Sequence, residues 1–211
     1  MTSQKSSSTA QQSAPVPTAK EPKRKRGIAR VAKLLDAGAA VFAEQGYKAA
    51  TMTEIAARAG APIGSLYQFF PNKDVLADAL IARYAEHVEA ALDRIRLQAT
   101  EYDAVQLADR LLDVLVAYAT ERSLALSLLD ARWEQPGVRP GVLREGLRRR
   151  IAEILMVWRA DLAEDQAQAM AVVLLQAMKS LVQLHEEKRY PGKAEAIAHW
   201  RRWVQRYLGE I

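Results

Sequence analysis

Thr51 and Glu54 stand three residues apart at the head of a short apolar run. At that spacing a threonine hydroxyl and a glutamate carboxylate can each satisfy the other's backbone amide, the reciprocal capping box that opens a helix. Eleven residues on, Ser65, Tyr67 and Gln68 offer hydrogen-bonding groups beside Gly64, whose missing side chain lets a partner approach the backbone. Lysines at 48 and 73 flank this region, and Arg24, Arg26 and Arg30 precede it within a basic run. Hydroxyls, one amide and surrounding cations suit the recognition of phosphates and base edges rather than bond making. The residues of catalysis are missing. The chain has no cysteine and only three histidines, His87, His185 and His199. It contains no HExxH, no Glu-x-x-His pair, no glycine-rich phosphate loop and no plausible triad. The expectation is therefore a protein that binds, not an enzyme, with no metal and no cofactor.

Charge distribution points the same way. The 211 residues carry 30 Lys+Arg against 25 Asp+Glu, a net +5. Residues 1–80 hold 11 basic and 6 acidic side chains, and residues 81–211 hold 19 of each, so the whole excess lies in the first 80. Residues 1–24, rich in Ser, Gln and Pro, cannot bury enough apolar surface to offset their ordering entropy and are expected to form a disordered basic arm. No uninterrupted apolar run comes near the ~18–20 residues of a bilayer span. The first twenty residues lack a secretory apolar stretch, and the absence of cysteine suits a reducing compartment. A cytoplasmic protein with no membrane partner is expected.

The elements that must position these residues read as helices. Ile28, Val31, Leu34, Leu35, Ala39 and Phe42 repeat at three and four, predicting a helix over 27–45 that Gly46 stops in a left-handed cap. A short helix over 52–59 ends at Gly60. A third, over 62–70, takes Pro62 as its first helical residue. Asn72 caps a fourth through Val75, Leu76, Leu80 and Tyr84. Two short helices across a glycine turn suggest a helix-turn-helix, with small Ala56 permitting a close crossing. Five further helices are expected over 103–120, 122–133, 140–159, 162–187 and 193–208. The fold class is all-α, with about nine helices.

The stretch Phe42-Ala-Glu-Gln-Gly46-Tyr47, Thr51-Met-Thr-Glu-Ile55-Ala56, Ala59-Gly60 and Gly64-Ser65-Leu66-Tyr67-Gln-Phe-Phe70-Pro-Asn72-Lys73-Asp74 closely resembles the N-terminal domain of the tetracycline-repressor (TetR) family of transcriptional regulators. The resemblance covers roughly residues 28–80; beyond 85 it is architectural. It implies an N-terminal three-helix helix-turn-helix DNA-binding domain (25–71) joined to a helical ligand-binding and dimerisation domain (72–211). The expected partners are double-stranded DNA, a small-molecule effector and a second copy of the chain. One departure stands out: Pro62 opens the recognition helix where relatives often carry Ser or Thr.

On this reading Gly64, Ser65 and Gln68 meet base edges, and the resemblance turns Tyr67 towards a phosphate. Thr51, Lys48 and Lys73 serve as phosphate contacts, Lys73 matching the family's clamp, while Arg26 and Arg30 reach an adjacent groove. The helix over 162–187 is apolar around most of its circumference, so it needs cover on two sides. Leu174, Ala177, Leu181 and Leu184, with Trp200 and Val204 of the last helix, are the expected homodimer interface. Tyr118, Trp133, Trp158 and Met178 are candidates for an apolar effector pocket. The function expected is a ligand-responsive repressor that binds a palindromic operator and is released by a small hydrophobic effector. An activator of the same fold and a helical protein-interaction adaptor are the alternatives.

Overall fold

The computed structural model describes residues 25–132 and 140–211. The disordered-arm expectation for 1–24 and the proposed pocket residue Trp133 fall outside the described residues. Among those described there are nine α-helices and no strand: α1 (Lys25–Ala49), α2 (Met52–Arg58), α3 (Ile63–Phe69), α4 (Lys73–Leu97), α5 (Ala104–Ala117), α6 (Ala119–Ala131), α7 (Pro140–Trp158), α8 (Glu164–Glu186) and α9 (Lys193–Gly209). A 3₁₀ turn at Ala99–Glu101 links α4 to α5.

Local chemistry sets the ends of these helices. Thr51 caps α2 through the complete box with Glu54, and the Asn72 side chain accepts from the Val75 amide at the head of α4. Asp103 and Gln106 form a second capping box at α5. Gly60 turns the chain at φ 56, and the Ala61 amide donates to the Ala56 carbonyl across the turn. Gly46 breaks α1 at φ 78 and ψ 164. That is a positive-φ extended conformation, not the left-handed helical cap expected, and only glycine enters it without strain. Pro62 is the cap of α3, with ψ 138, rather than its first helical residue.

Two apolar clusters divide the molecule. The first joins α1, α2 and α3 through Leu34, Phe42, Ile55, Leu66 and Phe70, and it takes in Leu76 and Leu80 from the first half of α4 and Leu128 from α6. The second unites the remainder of α4 with α5 and with α7 to α9. The spatial boundary therefore falls within α4, near residues 80–84, and not at Asn72. Gly38 of α1 sits so near α4 that an added Cβ would lie 3.0 Å from Leu76 Cδ2.

α8 is long and apolar enough, by length and composition, to cross a bilayer, which inspection for uninterrupted apolar runs does not reveal. Here it packs against α5, α7 and α9. Those three neighbours supply the cover that the sequence pattern demands. Leu174, Ala177, Leu181 and Val204 are consequently buried in their own subunit, and no second copy can reach them. Leu184 is half-buried. Trp200 is half-buried and donates its indole N–H to the Ala177 carbonyl at 2.9 Å. The exposed residues on these helices are different ones: Val172 and Val173 on α8, and Trp203 on α9, which is 48% exposed and stacks between Trp200 and Tyr207.

Candidate nucleic-acid interface

α3 has two faces. Leu66 and Phe69 turn inward, and Phe70 follows them into the core. Ile63, Gly64, Tyr67 and Gln68, spaced so that they share one side of a helix, turn outward. Ile63 is 40% and Tyr67 48% exposed, and a Cβ added at Gly64 would meet nothing within 4 Å. Gly64, Tyr67 and Gln68 thus lie open on this outward side. Ser65 does not. Its hydroxyl is buried with no hydrogen-bond partner, so its contribution here is small size and not a donor for a base. The helical rotation that sends Leu66 into the core takes Ser65 part of the way with it.

The expected phosphate contacts divide similarly. Lys73 Nζ donates to the carbonyls of Tyr47 at 2.7 Å, Ala50 at 3.0 Å and Lys48 at 3.1 Å, and it lies 4.6 Å from the Tyr47 ring centroid. The lysine thereby closes the C-terminal end of α1, whose carbonyls carry the negative end of the helix dipole. All three ammonium protons are engaged there, so Lys73 is a structural cap in this conformation and not an open clamp. Thr51 donates its hydroxyl to Glu54 at 2.7 Å and accepts from the Glu54 amide. These bonds hold the Glu54 carboxyl below the usual carboxylate range and place its negative charge where a phosphate was expected. Lys48, Arg26 and Arg30 are exposed.

Two participants escape a reading of sequence alone. Lys33 of α1 brings its ammonium to 3.7 Å from a Cβ built on Gly60, directly over the turn between α2 and α3. Arg132, at the end of α6, is 4% exposed. Its Nε lies 3.2 Å from Asp74 and its Nη1 2.7 Å from Asp78, both on α4, and its guanidinium faces the Tyr47 ring at 5.7 Å. Asp74 also accepts from the Tyr47 hydroxyl. Burial works against the Arg132 charge, yet the hydrogen bond to Asp78 and the charges around it leave its pKa above the ordinary arginine value. A chain Lys73–Tyr47–Asp74–Arg132 therefore runs from the end of α1 to the end of α6. An arginine beside Ala131 in sequence gives no hint that its partners lie more than fifty residues earlier.

Among the described residues, Tyr118, Trp158 and Met178 do not line the two cavities found in the larger domain. Met178 is fully buried in the second cluster. Trp158 donates its indole N–H to the Tyr102 carbonyl at 2.9 Å. Tyr118 packs against His87, which is itself hydrogen-bonded to Glu121. All three pack in or against the second cluster, and the polar atom of Trp158 is already employed there. A cavity of about 760 Å³ opens instead between α4, α6 and α7, walled by Ile81, Ala85, Leu129 and Val142 among others.

The chain resembles known proteins in both sequence and shape. The family model described as bacterial regulatory proteins, tetR family, matches residues 34–80. The HTH-type transcriptional repressor KstR2 of Rhodococcus jostii (strain RHA1) is 32% identical over 136 residues, covering 56% of this chain and 66% of that protein. The repressor KstR of Mycolicibacterium smegmatis (strain ATCC 700084 / mc(2)155) is 37% identical over 65 residues, covering 31% of this chain and 32% of that one. The chain thus matches just under two thirds of the first relative's length and about a third of the second's. Among solved structures, a TetR-family transcriptional regulator from Streptomyces coelicolor is 28% identical, with a TM-score of 0.56 over 86% of this chain and 99% of that one. Family model, relatives and shape agree on the helix-turn-helix assembled above, and residues 34–80 form a domain of the tetR family of bacterial regulatory proteins.

Proposed function

We propose that the chain is a DNA-binding transcriptional regulator: a repressor that holds a palindromic operator as a homodimer and lets go when a small effector binds. The observation that carries this reading is the outward face of α3. Gly64, Tyr67 and Gln68 project from a short helix whose other face is locked in a core of its own. A helix so held can enter a major groove, where all four base pairs differ in their donors and acceptors. Lys33, Lys48, Arg26 and Arg30 provide cations for the flanking phosphates. One such module reads few base pairs. Two copies related by a two-fold axis reach the usual ~10³–10⁷ preference over random DNA.

The second copy is met through the exposed apolar residues of the last two helices, Val172, Val173 and Trp203, in place of the buried ones the pattern suggests. The names of the relatives favour repression. An activator of the same fold would differ in where its operator lies relative to the promoter. The 760 Å³ cavity supports a small effector, because it is walled by α4 and α6, which both also pack on α1. Effector and operator must then weaken each other's binding by the same factor.

The test is a salt-titrated affinity measurement on DNA fragments selected from the genome. The expected result is a palindromic consensus, a complex of two chains, and log affinity falling linearly with log salt. A flat salt dependence would identify an adaptor that ignores DNA. A reporter gene behind the selected site then distinguishes repression from activation.

A further inference from the structure

Arg122 of α6, Arg144 of α7 and Lys179 of α8 converge on a second cavity, of about 180 Å³, whose other walls include Tyr84, Leu115 and Leu147. Among the described residues none of these three cationic side chains has a hydrogen bond or ion pair. Arg148, one position before a paired arginine, has a buried Nε with no partner. Other arginines of the same domain are matched, Arg150 by Glu89, Asp93 and Glu153, and Arg201 by Asp109 and Asp113. The nearby Glu121 carboxylate is engaged by His87.

Like charges gathered at one cavity oppose one another, and the half-buried Arg122 and Lys179 lose hydration as well. The effect is visible on Lys179, whose pKa burial lowers, followed by the charges of Arg144, Arg122 and Arg148. Tyr84 stays a neutral donor, because burial pushes its hydroxyl up to about 12. No carboxylate is among the residues that line this cavity.

The larger cavity adjoins. Leu143 lines both, so the two lie on either side of one side chain. The larger one is mainly apolar, but its rim carries Asp78, Glu89 and Glu145 against Arg149. Asp78 and Glu89 are paired with Arg132 and Arg150, so charge sorts any ligand that occupies both through the smaller cavity, whose unpaired cations draw the negative end.

We propose that Arg122, Arg144 and Lys179 form the head-group site for an amphipathic anion, a compact carboxylate or phosphate whose apolar body runs past Leu143 between α4 and α7. The Tyr84 hydroxyl donates a further hydrogen bond to the head. The binding site stands on its own geometry; only its effect on DNA rests on the regulatory reading above.

Calorimetric titration of the full chain with octanoate, octyl phosphate, octanol and octyltrimethylammonium, all below micelle formation, tests the site. One or both anions should bind at least about tenfold more tightly than the alcohol or the ammonium. Comparing the two anions identifies the preferred head. Lys179→Met and Arg122→Gln should each weaken anion binding about tenfold while leaving octanol unchanged. Should either variant fail to fold, a tenfold rise in salt on the unaltered chain should weaken the anions alone. Octanol binding as tightly as octanoate, no binding of any probe, or anion affinity indifferent to both the substitutions and salt would overturn the proposal. Intact DNA binding with no anion preference would remove only the site. Anion binding by a chain that never holds DNA would remove only the regulatory reading.

Discussion

Lys73 shows how a side chain's job follows from what lies within its reach. Its ammonium faces three carbonyls at the end of α1, which come to it because Gly46 bends the chain. Hydrogen bonds to a charged group contribute about 1.5–3 kcal/mol. Lys73→Met should therefore lower stability by about 2 kcal/mol in urea unfolding. In a variant that still folds, the slope of log DNA affinity against log salt should stay the same; a slope shallower by about one would return Lys73 to the phosphates. Ser65 and Gln68, three apart, separate in the same manner. Ser65→Ala removes a buried hydroxyl with no partner, so base preference should be unaltered and stability equal or higher by up to about 1 kcal/mol. Gln68→Ala removes an exposed amide and should relax preference at a defined base position, read by selection of bound sequences.

At the scale of elements, α2 and α3 are each only seven residues long. Helices so short do not persist alone in water, and caps and packing must hold them. Thr51→Ala should cost about 1 kcal/mol through the lost cap, seen as an earlier unfolding midpoint. The same box responds to acid. Glu54 has its folded pKa depressed, first by the Thr51 hydroxyl and then by the Thr51 amide. Its contribution is thus complete above the ordinary 4.5 and disappears as pH falls through the lower folded value. Unfolding measured from neutral pH down through that window should show the loss in the native chain and not in Glu54→Gln, which keeps the spacing but has no charge to titrate. The α3 cap offers a contrast: Pro62 supplies no side-chain acceptor, so this helix is held by Leu66, Phe69 and Phe70.

For the whole molecule the decisive junction is between the two apolar clusters. α4 belongs to both, Leu128 of α6 enters the first, and Arg132 ties the end of α6 to Asp74 and Asp78. Arg132→Met would leave those carboxylates to water, which they can reach because both are more than a third exposed. The cost should be moderate, about 1–2 kcal/mol, between that of an exposed and a buried pair. The sharper signature is cooperativity. Calorimetry of the native chain should give one transition, and the variant should give two as the link between the clusters weakens; a single unshifted transition would mean that α4 and the Leu128 contact suffice to join them.

Sequence by itself determined the parts whose physics is local. Helical periodicity, the Thr51–Glu54 box, the Asn72 cap and the glycine at 60 are each settled within a few residues, so the order and type of the elements could be read directly. So could the outward face of α3, since inward Leu66 and Phe69 fix its rotation. Tertiary structure alone decided what each polar or apolar group meets. It gave the Lys73 ammonium to backbone carbonyls, covered Leu174 and Leu181 with helices of their own subunit, and brought arginines and a lysine from three helices around one cavity. Periodicity tells which side of a helix shuns water. It carries no information about which of several neighbours will cover that side, because that depends on crossing angles and loop paths set by the whole chain.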